Sequence, residues 1–275
     1  MPELPEVERA RVAIEGAALN RRIATVDDAD SYVCRPHAPG EIGAALEGRE
    51  LTVAHRRGKT MWVETDDGGP DLGLHLGMAG WIAIDEDPAP NHWDRFTLSF
   101  EDGGRLALRD KRRLSRARLD PDLADLGPDA AEVSRTQFRR RVGRGTAPIK
   151  ARLLDQSVLA GVGNLLADET LWRAGLDPRR SVEELGLEDL DELRRALRAA
   201  TRDAIRRGGV HTGRLVRERG RGGRCPACGS GLSRATVRGR TTFWCPQHQP
   251  PGWGLRAPQR PCTAPTAEGV RSLLP

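Results

Sequence analysis

The first eight residues, Met1-Pro-Glu-Leu-Pro-Glu-Val-Glu8, place an imino acid beside two carboxylates. Initiator methionine is normally removed ahead of a small second residue, and Pro2 would then carry a secondary amine at the chain terminus. An α-amine titrates near ~8, against ~10.4 for lysine, so a usable fraction is neutral and nucleophilic at physiological pH. A secondary amine that attacks a sugar C1′ forms an iminium whose positive charge needs no proton, which makes it an electron sink for elimination. Cleaving an N-glycosidic bond and opening the ring calls for one proton donor and one orienting carboxylate, and Glu3 and Glu6 are spaced to supply them. The alternative from composition alone is an acidic first helical turn favoured by the helix dipole.

A second constellation lies near the other end. Cys225-Pro-Ala-Cys228 and Cys245-Pro-Gln-His248 form two knuckles separated by 16 residues, the spacing of a zinc ribbon. Four ligands (Cys225, Cys228, Cys245 and His248) with no vacancy imply one structural, tetrahedral Zn2+, since a catalytic zinc keeps a position for water. A ribbon of about 25 residues buries too little core to fold alone, so the metal would supply its folding energy. At its hairpin stand Arg234, Arg238 and Arg240, cations suited to a phosphate or a groove.

These groups need a scaffold. The 275 residues are 30% charged and 38% hydrophobic, an ordinary globular balance for one large domain or two small ones. No apolar run approaches the roughly 20 residues of a membrane span, and acids and prolines replace a signal sequence at the start, which points to a cytoplasmic protein. The formal charge is +5, and only three of 44 cations are lysine (Lys59, Lys111 and Lys150). So many guanidinium groups suit a polyanionic partner, although codon bias and a solvated surface would also give them. Five cysteines are not spaced as a secreted disulfide framework, and Cys34 and Cys262 are expected to be free.

Residues 5–17 read as a helix with Pro5 near its first position. Strands are expected at 23–26, 51–56, 60–65, 81–84, 96–100 and 105–109, with Asp67-Gly68 and Asp102-Gly103 as turns, which together suggest a sandwich or barrel. Pro121 and Gly127-Pro128 mark a connector, after which helical periodicity begins. Helices follow near 149–156 and 165–174. Another, carrying Leu187, Leu190, Leu193, Leu197, Ala200 and Ala204, ends at Gly208-Gly209, with Asp191/Arg195 and Asp203/Arg207 as i,i+4 pairs. The Pro-rich segment 249–275 is expected to be a disordered tail.

Taken together, Met1–Glu8 and the ribbon resemble the formamidopyrimidine-DNA glycosylase and endonuclease VIII family, over about residues 1–248. Arg57-Gly58-Lys59 is similar to the family's lysine turn, His75-Leu-Gly-Met-Ala-Gly80 to its intercalating loop, and Lys150–Gln156 through Gly161-Val-Gly-Asn164 to its helix-two-turn-helix. The resemblance implies an α+β chain of two domains: an N-terminal β-sandwich flanked by helices (1–119), then a helix-two-turn-helix bundle (130–210) with a zinc-ribbon β-hairpin (220–248). It implies a bifunctional glycosylase and lyase that excises oxidised bases of the 8-oxoguanine and formamidopyrimidine class and cuts the strand by β,δ-elimination. Its partner would be double-stranded DNA containing oxidised bases or abasic sites, met as a monomer, so that the protein is nucleoid-associated when on DNA. By position, Pro2 would be the Schiff-base nucleophile, Glu3 the proton donor, Glu6 an organiser and Lys59 a cation for the lesion-strand phosphate and the elimination. Met78 would fill the gap left by the turned-out nucleotide, and Arg112 would contact the orphaned base. Lys150, Asn164 and Arg240 would hold phosphates, with Gly161 and Gly163 letting backbone amides approach an anion.

Three departures stand out, the first being that the fourth zinc ligand is His248 where the family usually has Cys, an acceptable change because imidazole binds zinc in the same geometry. Leu114 replaces the family's wedging aromatic, and can wedge without stacking. Only 15 residues, Val210–Arg224, lie between Gly209 and Cys225, where guanine-directed members carry a longer loop over the flipped base. This leaves room for an endonuclease VIII-like preference for oxidised pyrimidines or hydantoins. A non-enzymatic damage-recognition DNA-binding protein is a further alternative, opposed by the presence of Pro2, Glu3 and Lys59, and an RNA-binding ribbon protein would leave the N-terminal tripeptide without a purpose.

Overall fold

The computed structural model describes residues 1–85 and 91–251. The tail expected at 249–275 does not begin at Gln249, which is buried, accepts Cys245 N–H and donates to the Leu176 carbonyl, so the ribbon extends to it; the part from 252 onward, with Cys262, lies outside the described residues. Helix α1 (Leu4–Ala17) opens with Pro5 where a missing N–H costs nothing, and Glu6 accepts the Glu3 N–H at 2.9 Å. Eight strands follow: β1 (Ile23–Asp27), β2 (Leu51–Arg57), β3 (Thr60–Thr65), β4 (Leu72–His75), β5 (Trp81–Asp85), β6 (Asp94–Phe100), β7 (Arg105–Arg109) and β8 (Arg116–Leu119), with a short helix α2 (Glu41–Leu46) after β1. They form two antiparallel four-stranded sheets, ordered β1-β6-β7-β5 and β2-β3-β4-β8. Residues of both sheets (Leu51, Met61, Val63, Leu72 and Leu74; Ile23, Phe96, Leu98, Leu106 and Leu108) share one buried core, the sandwich expected from the strand pattern.

Strands β4 and β8 and helix α2 were not read from the sequence. β4 is only Leu-Gly-Leu-His, and β8 at the sheet edge is Arg-Ala-Arg-Leu with one buried residue. α2 starts because Asp28 accepts the N–H groups of Gly40, Ile42 and Gly43, a cap more than ten residues away in sequence. The register aligns Thr60 with His75 and His75 with Arg116. It therefore gathers the β2–β3 turn with Lys59, the loop with Met78 and the loop with Arg112 and Leu114 at one end of this sheet.

The second half holds α3 (Arg135–Val142), α4 (Ile149–Leu153), α5 (Asn164–Ala174), α6 (Leu187–Arg207) and α7 (Arg214–Arg217), then the hairpin β9 (Ser233–Val237) and β10 (Arg240–Trp244). Along α6, Leu190, Leu193, Leu197, Ala200 and Ala204 are buried as the periodicity predicts, and Gly208 ends it at φ +100°. The predicted i,i+4 pairs do not form. Asp191 is held by Arg135 and Arg139 of α3, Asp203 by Arg173 and Arg206, and Arg195 turns to Glu192. Leu4 packs into the helical core while Val7 and Ile14 enter the sandwich core, so α1 bridges the two. Each such side chain contributes roughly 1.5–3 kcal/mol.

Candidate active site and metal centre

Glu3 is fully buried at the start of α1, and its carboxylate caps α5. Oε2 accepts Gly163 N–H and Leu166 N–H at 3.0 Å each, and Oε1 accepts Leu165 N–H at 2.8 Å. A helix N-terminus offers such donors and a partial positive charge. The anion expected at the Gly161–Gly163 turn is thus present, but it is Glu3 rather than a phosphate. A Cβ at residue 163 would overlap the Glu3 carboxyl group, so glycine is required. Burial pushes the Glu3 carboxyl above the usual carboxylate range, against the pull of Lys59 and of the Leu165 and Leu166 amides.

Glu6 joins Glu3 N–H at 2.9 Å to Val210 N–H at 2.6 Å, tying α1 to the segment after α6. Lys59 stands on the β2–β3 turn, where burial and the field of Arg240 lower its pKa while Glu3 raises it. Gly58 before it adopts φ +63°, and a Cβ there would come within 2.7 Å of the Ala160 side chain. Asp129 accepts Gly58 N–H at 2.7 Å and pairs with Arg56, which also meets Glu8 at 2.7 Å, so a buried ion network fixes the Lys59 turn on the helical half. Pro2 adjoins Glu3, its nitrogen in peptide linkage with the exposed Met1.

At the same end of the sheet, Met78 is 40% exposed and Arg112 is exposed. Leu114 is half-buried. Their loop is built on buried Asp110, which accepts Arg112 N–H at 2.8 Å, Leu114 N–H at 2.7 Å and Ser115 N–H at 2.8 Å. His75 accepts Gly77 N–H at 3.0 Å, and burial with nearby Lys59 lowers its pKa.

Two expected phosphate contacts are differently engaged. Lys150 is fully buried: its Nζ lies 2.6 Å from Asp168 and donates to Thr242 Oγ1 at 2.8 Å, so it does not reach a backbone phosphate. Asn164 donates its amide to the Thr241 carbonyl at 3.0 Å. Arg240, next to that carbonyl, is exposed. Sequence reading missed Asp168, Arg219, Asp110 and Asp129. The one available signal was an acid, Asp168, one helical turn after Asn164 on a helix otherwise rich in apolar residues.

The sulfur atoms of Cys225, Cys228 and Cys245 lie within 4.8 Å of one another, with 3.5 Å between Cys228 and Cys245. His248 N–H and Trp172 Nε1–H each point to a sulfur at 3.4 Å, as donors to thiolates do. The His248 ring is not brought into this group. Its Nε2 lies 3.0 Å from the Trp172 carbonyl, which places the ring proton there and leaves the lone pair on Nδ1. Among the described residues no helix is long and apolar enough to cross a membrane.

Residues 1–117 match the formamidopyrimidine-DNA glycosylase N-terminal domain, and residues 126–214 match the formamidopyrimidine-DNA glycosylase H2TH domain. The chain is 35% identical over 280 residues to a formamidopyrimidine-DNA glycosylase of a Nocardioides species, covering 91% of this chain and 95% of that one. Among solved structures it resembles the Lactococcus lactis Fpg in complex with DNA containing an abasic site (TM-score 0.80, 26% identity, 91% of this chain and 100% of that one). It also resembles MutM in complex with DNA containing carbocyclic 8-oxo-G (TM-score 0.81, 27% identity, with the same coverage).

Proposed function

The chain belongs to the formamidopyrimidine-DNA glycosylase family, and on that premise we propose that Pro2, Glu3, Glu6 and Lys59 carry its chemistry. The protein is a DNA glycosylase and lyase that removes oxidised bases from DNA. Its relatives are glycosylases named for formamidopyrimidine, and a structural neighbour holds 8-oxo-G DNA, so the oxidised-pyrimidine and non-enzymatic alternatives are set aside. Action in the cytoplasm on nucleoid DNA, and the domain limits 1–119, 130–210 and 220–248, belong to the same reading.

The observation that carries the assignment of roles is the Glu3 carboxyl. It is buried beside Lys59 and shifted toward its protonated form, as a donor of one proton must be. With Met1 removed, the Pro2 nitrogen bonds to C1′ as the N-glycosidic bond breaks; the electron pair of that bond leaves with the base, which takes up the proton that the Pro2 nitrogen sheds. The ring oxygen takes the Glu3 proton, the ring opens, and the iminium at C1′ stabilises the electrons left when C2′ loses a proton. Those electrons expel the 3′ phosphate, and a second elimination expels the 5′ phosphate. Lys59 and Arg240 would bear the charge of the departing phosphates. Met78, Arg112 and Leu114 would occupy the space left in the stack.

One structural zinc ion would sit on the three grouped sulfurs of Cys225, Cys228 and Cys245; His248, whose ring lies outside that group, would supply the fourth donor through Nδ1, the nitrogen left free by the hydrogen bond on Nε2. It would hold the ribbon's fold and take no part in the reaction. Borohydride trapping on duplexes carrying 8-oxoguanine, formamidopyrimidine, thymine glycol or an abasic site, with the adduct mapped by mass spectrometry, tests the whole reading. A Pro2 adduct, most abundant with the guanine lesions, is expected. Binding without any adduct, even on the abasic duplex, would refute it.

A further inference from the structure

The short segment that stands where a base-capping loop was expected has a charged anchor of its own. From α7 the chain turns through Arg219, which is half-buried and reaches under the ribbon. Its Nε lies 2.9 Å from Asp168 Oδ2, its Nη2 donates to the Thr241 carbonyl at 2.9 Å, and its guanidinium lies 5.1 Å over the Phe243 ring. Asp168 is 1% exposed; it also pairs with Lys150 at 2.6 Å and accepts Phe243 N–H at 3.2 Å. The Thr241 carbonyl further receives Asn164 Nδ2 at 3.0 Å. Groups from α4, α5 and the segment after α7 thus converge on three consecutive residues of β10, beginning one residue past Arg240.

The rest of the hairpin is anchored elsewhere. Cys245 belongs to the sulfur cluster, and Arg238 at the turn donates to the Ala151 carbonyl at 3.0 Å. Arg240 lies between those anchors, within the field felt by Lys59. The Arg219 fork is the contact that couples its strand to a buried carboxylate and a backbone carbonyl at once.

We propose that Arg219 is a positioning residue: by bridging Asp168 and the Thr241 carbonyl it sets the backbone beside Arg240 and hence the reach of Arg240 to the lesion-strand phosphate. The short Val210–Arg224 segment then serves the phosphate clamp. This deepens the glycosylase reading and rests on it.

The test compares full-length, zinc-loaded wild type, Arg219→Met, Arg219→Lys, Arg240→Ala and the Arg219→Met/Arg240→Ala double variant on a duplex with a tetrahydrofuran abasic site. Arg219→Met leaves Asp168 paired with Lys150, so the ribbon keeps its zinc, measured per chain. Its Kd weakens on the order of tenfold, and the slope of log K against log salt falls by about one phosphate. In the Arg240→Ala background the same substitution changes Kd by less than about twofold, since both act through one contact. Arg219→Lys keeps a charge on Asp168 but loses the fork, and its Kd falls between wild type and Arg219→Met. The proposal is overturned if Arg219→Met matches wild type in Kd and slope, if its loss multiplies with that of Arg240→Ala, or if Arg219→Lys equals wild type. Borohydride trapping of the wild type on an authentic abasic duplex is run alongside: its failure defeats the glycosylase reading itself, whereas its success with unaltered Arg219 variants defeats only the positioning role.

Discussion

Two buried carboxylates lie one turn apart on α5 and are held in opposite ways. Glu3 enters from outside the helix and is cradled by three backbone N–H groups, whereas Asp168 belongs to the helix and is held by Lys150 and Arg219 with one N–H. Burial raises the pKa of both, against Lys59 and the amides at Glu3 and against Lys150 and Arg219 at Asp168. What separates them is what they touch: Asp168 commits its oxygens to two cations and a strand amide, each member depending on the others, whereas Glu3 adjoins Pro2 and is held by backbone amides alone. The first arrangement suits a strut and the second a reacting acid.

Glu3→Gln breaks the amide side of this comparison and has the largest expected effect. Loss of the proton donor should slow base excision by about 10²–10⁴-fold, with far less effect on Kd for a tetrahydrofuran duplex. The pH dependence has a definite sign. The folded-state pKa of Glu3 is raised, so its protonated form, and the stability that form confers, are complete below the ordinary carboxylate range and decline as pH rises through the raised value. Wild-type single-turnover excision should fall along that limb, and Glu3→Gln should lack it. An unchanged profile in the variant would show that another group supplies the proton.

Asp168→Asn breaks the other side. It leaves the buried Lys150 and the half-buried Arg219 without their counter-charge, and unfolding stability should drop by about 3–5 kcal/mol, read from urea denaturation. Excision by the remaining folded protein should keep its Glu3 pH limb, because the amide cradle does not run through Asp168. A loss confined to activity, with stability intact, would mean that the two carboxylates are one unit.

The contrast also explains what could be read in advance. Cys225, Cys228 and Cys245 announce themselves by local spacing, and Glu3 by its place beside Pro2. What holds Glu3 is 160 residues away, and an anion at the Gly161–Gly163 turn could be foreseen without foreseeing which anion. Lys150 shows the limit most clearly. Its type suggested a phosphate contact, but Asp168 and Thr242, contributed by two other parts of the chain, bind it in the interior. Likewise the acids of α6 looked outward by periodicity, and α3 and α5 supplied arginines that captured them.

Asp110 is a second amide-held carboxylate, and Asp110→Asn provides a milder version of the first break. Two of its three N–H acceptor contacts share Oδ2, and an amide can keep a carbonyl there while facing Arg112 N–H with its own N–H₂. One buried donor is left unmet, for about 1–3 kcal/mol, and Arg112 loses its fixed approach. The midpoint of thermal unfolding should fall, and the ratio of excision opposite cytosine to excision opposite adenine should move toward one.

Leu114→Phe is the smallest change and the sharpest test of what an amide cradle permits. The backbone at 114 is fixed by its N–H on Asp110 and by close packing of its carbonyl against Gly77, so the identity of the side chain does not hold the loop. A phenyl ring should therefore be carried without moving Arg112, and should add stacking worth about 0.5–1.5 kcal/mol, a two- to tenfold gain in the ratio of excision opposite cytosine to excision opposite adenine. Combined with Asp110→Asn the gain should vanish, because the ring would no longer be aimed. If Leu114→Phe changes neither ratio nor duplex affinity, residue 114 does not enter the stack, and the half-buried leucine serves only to close the loop over Asp110.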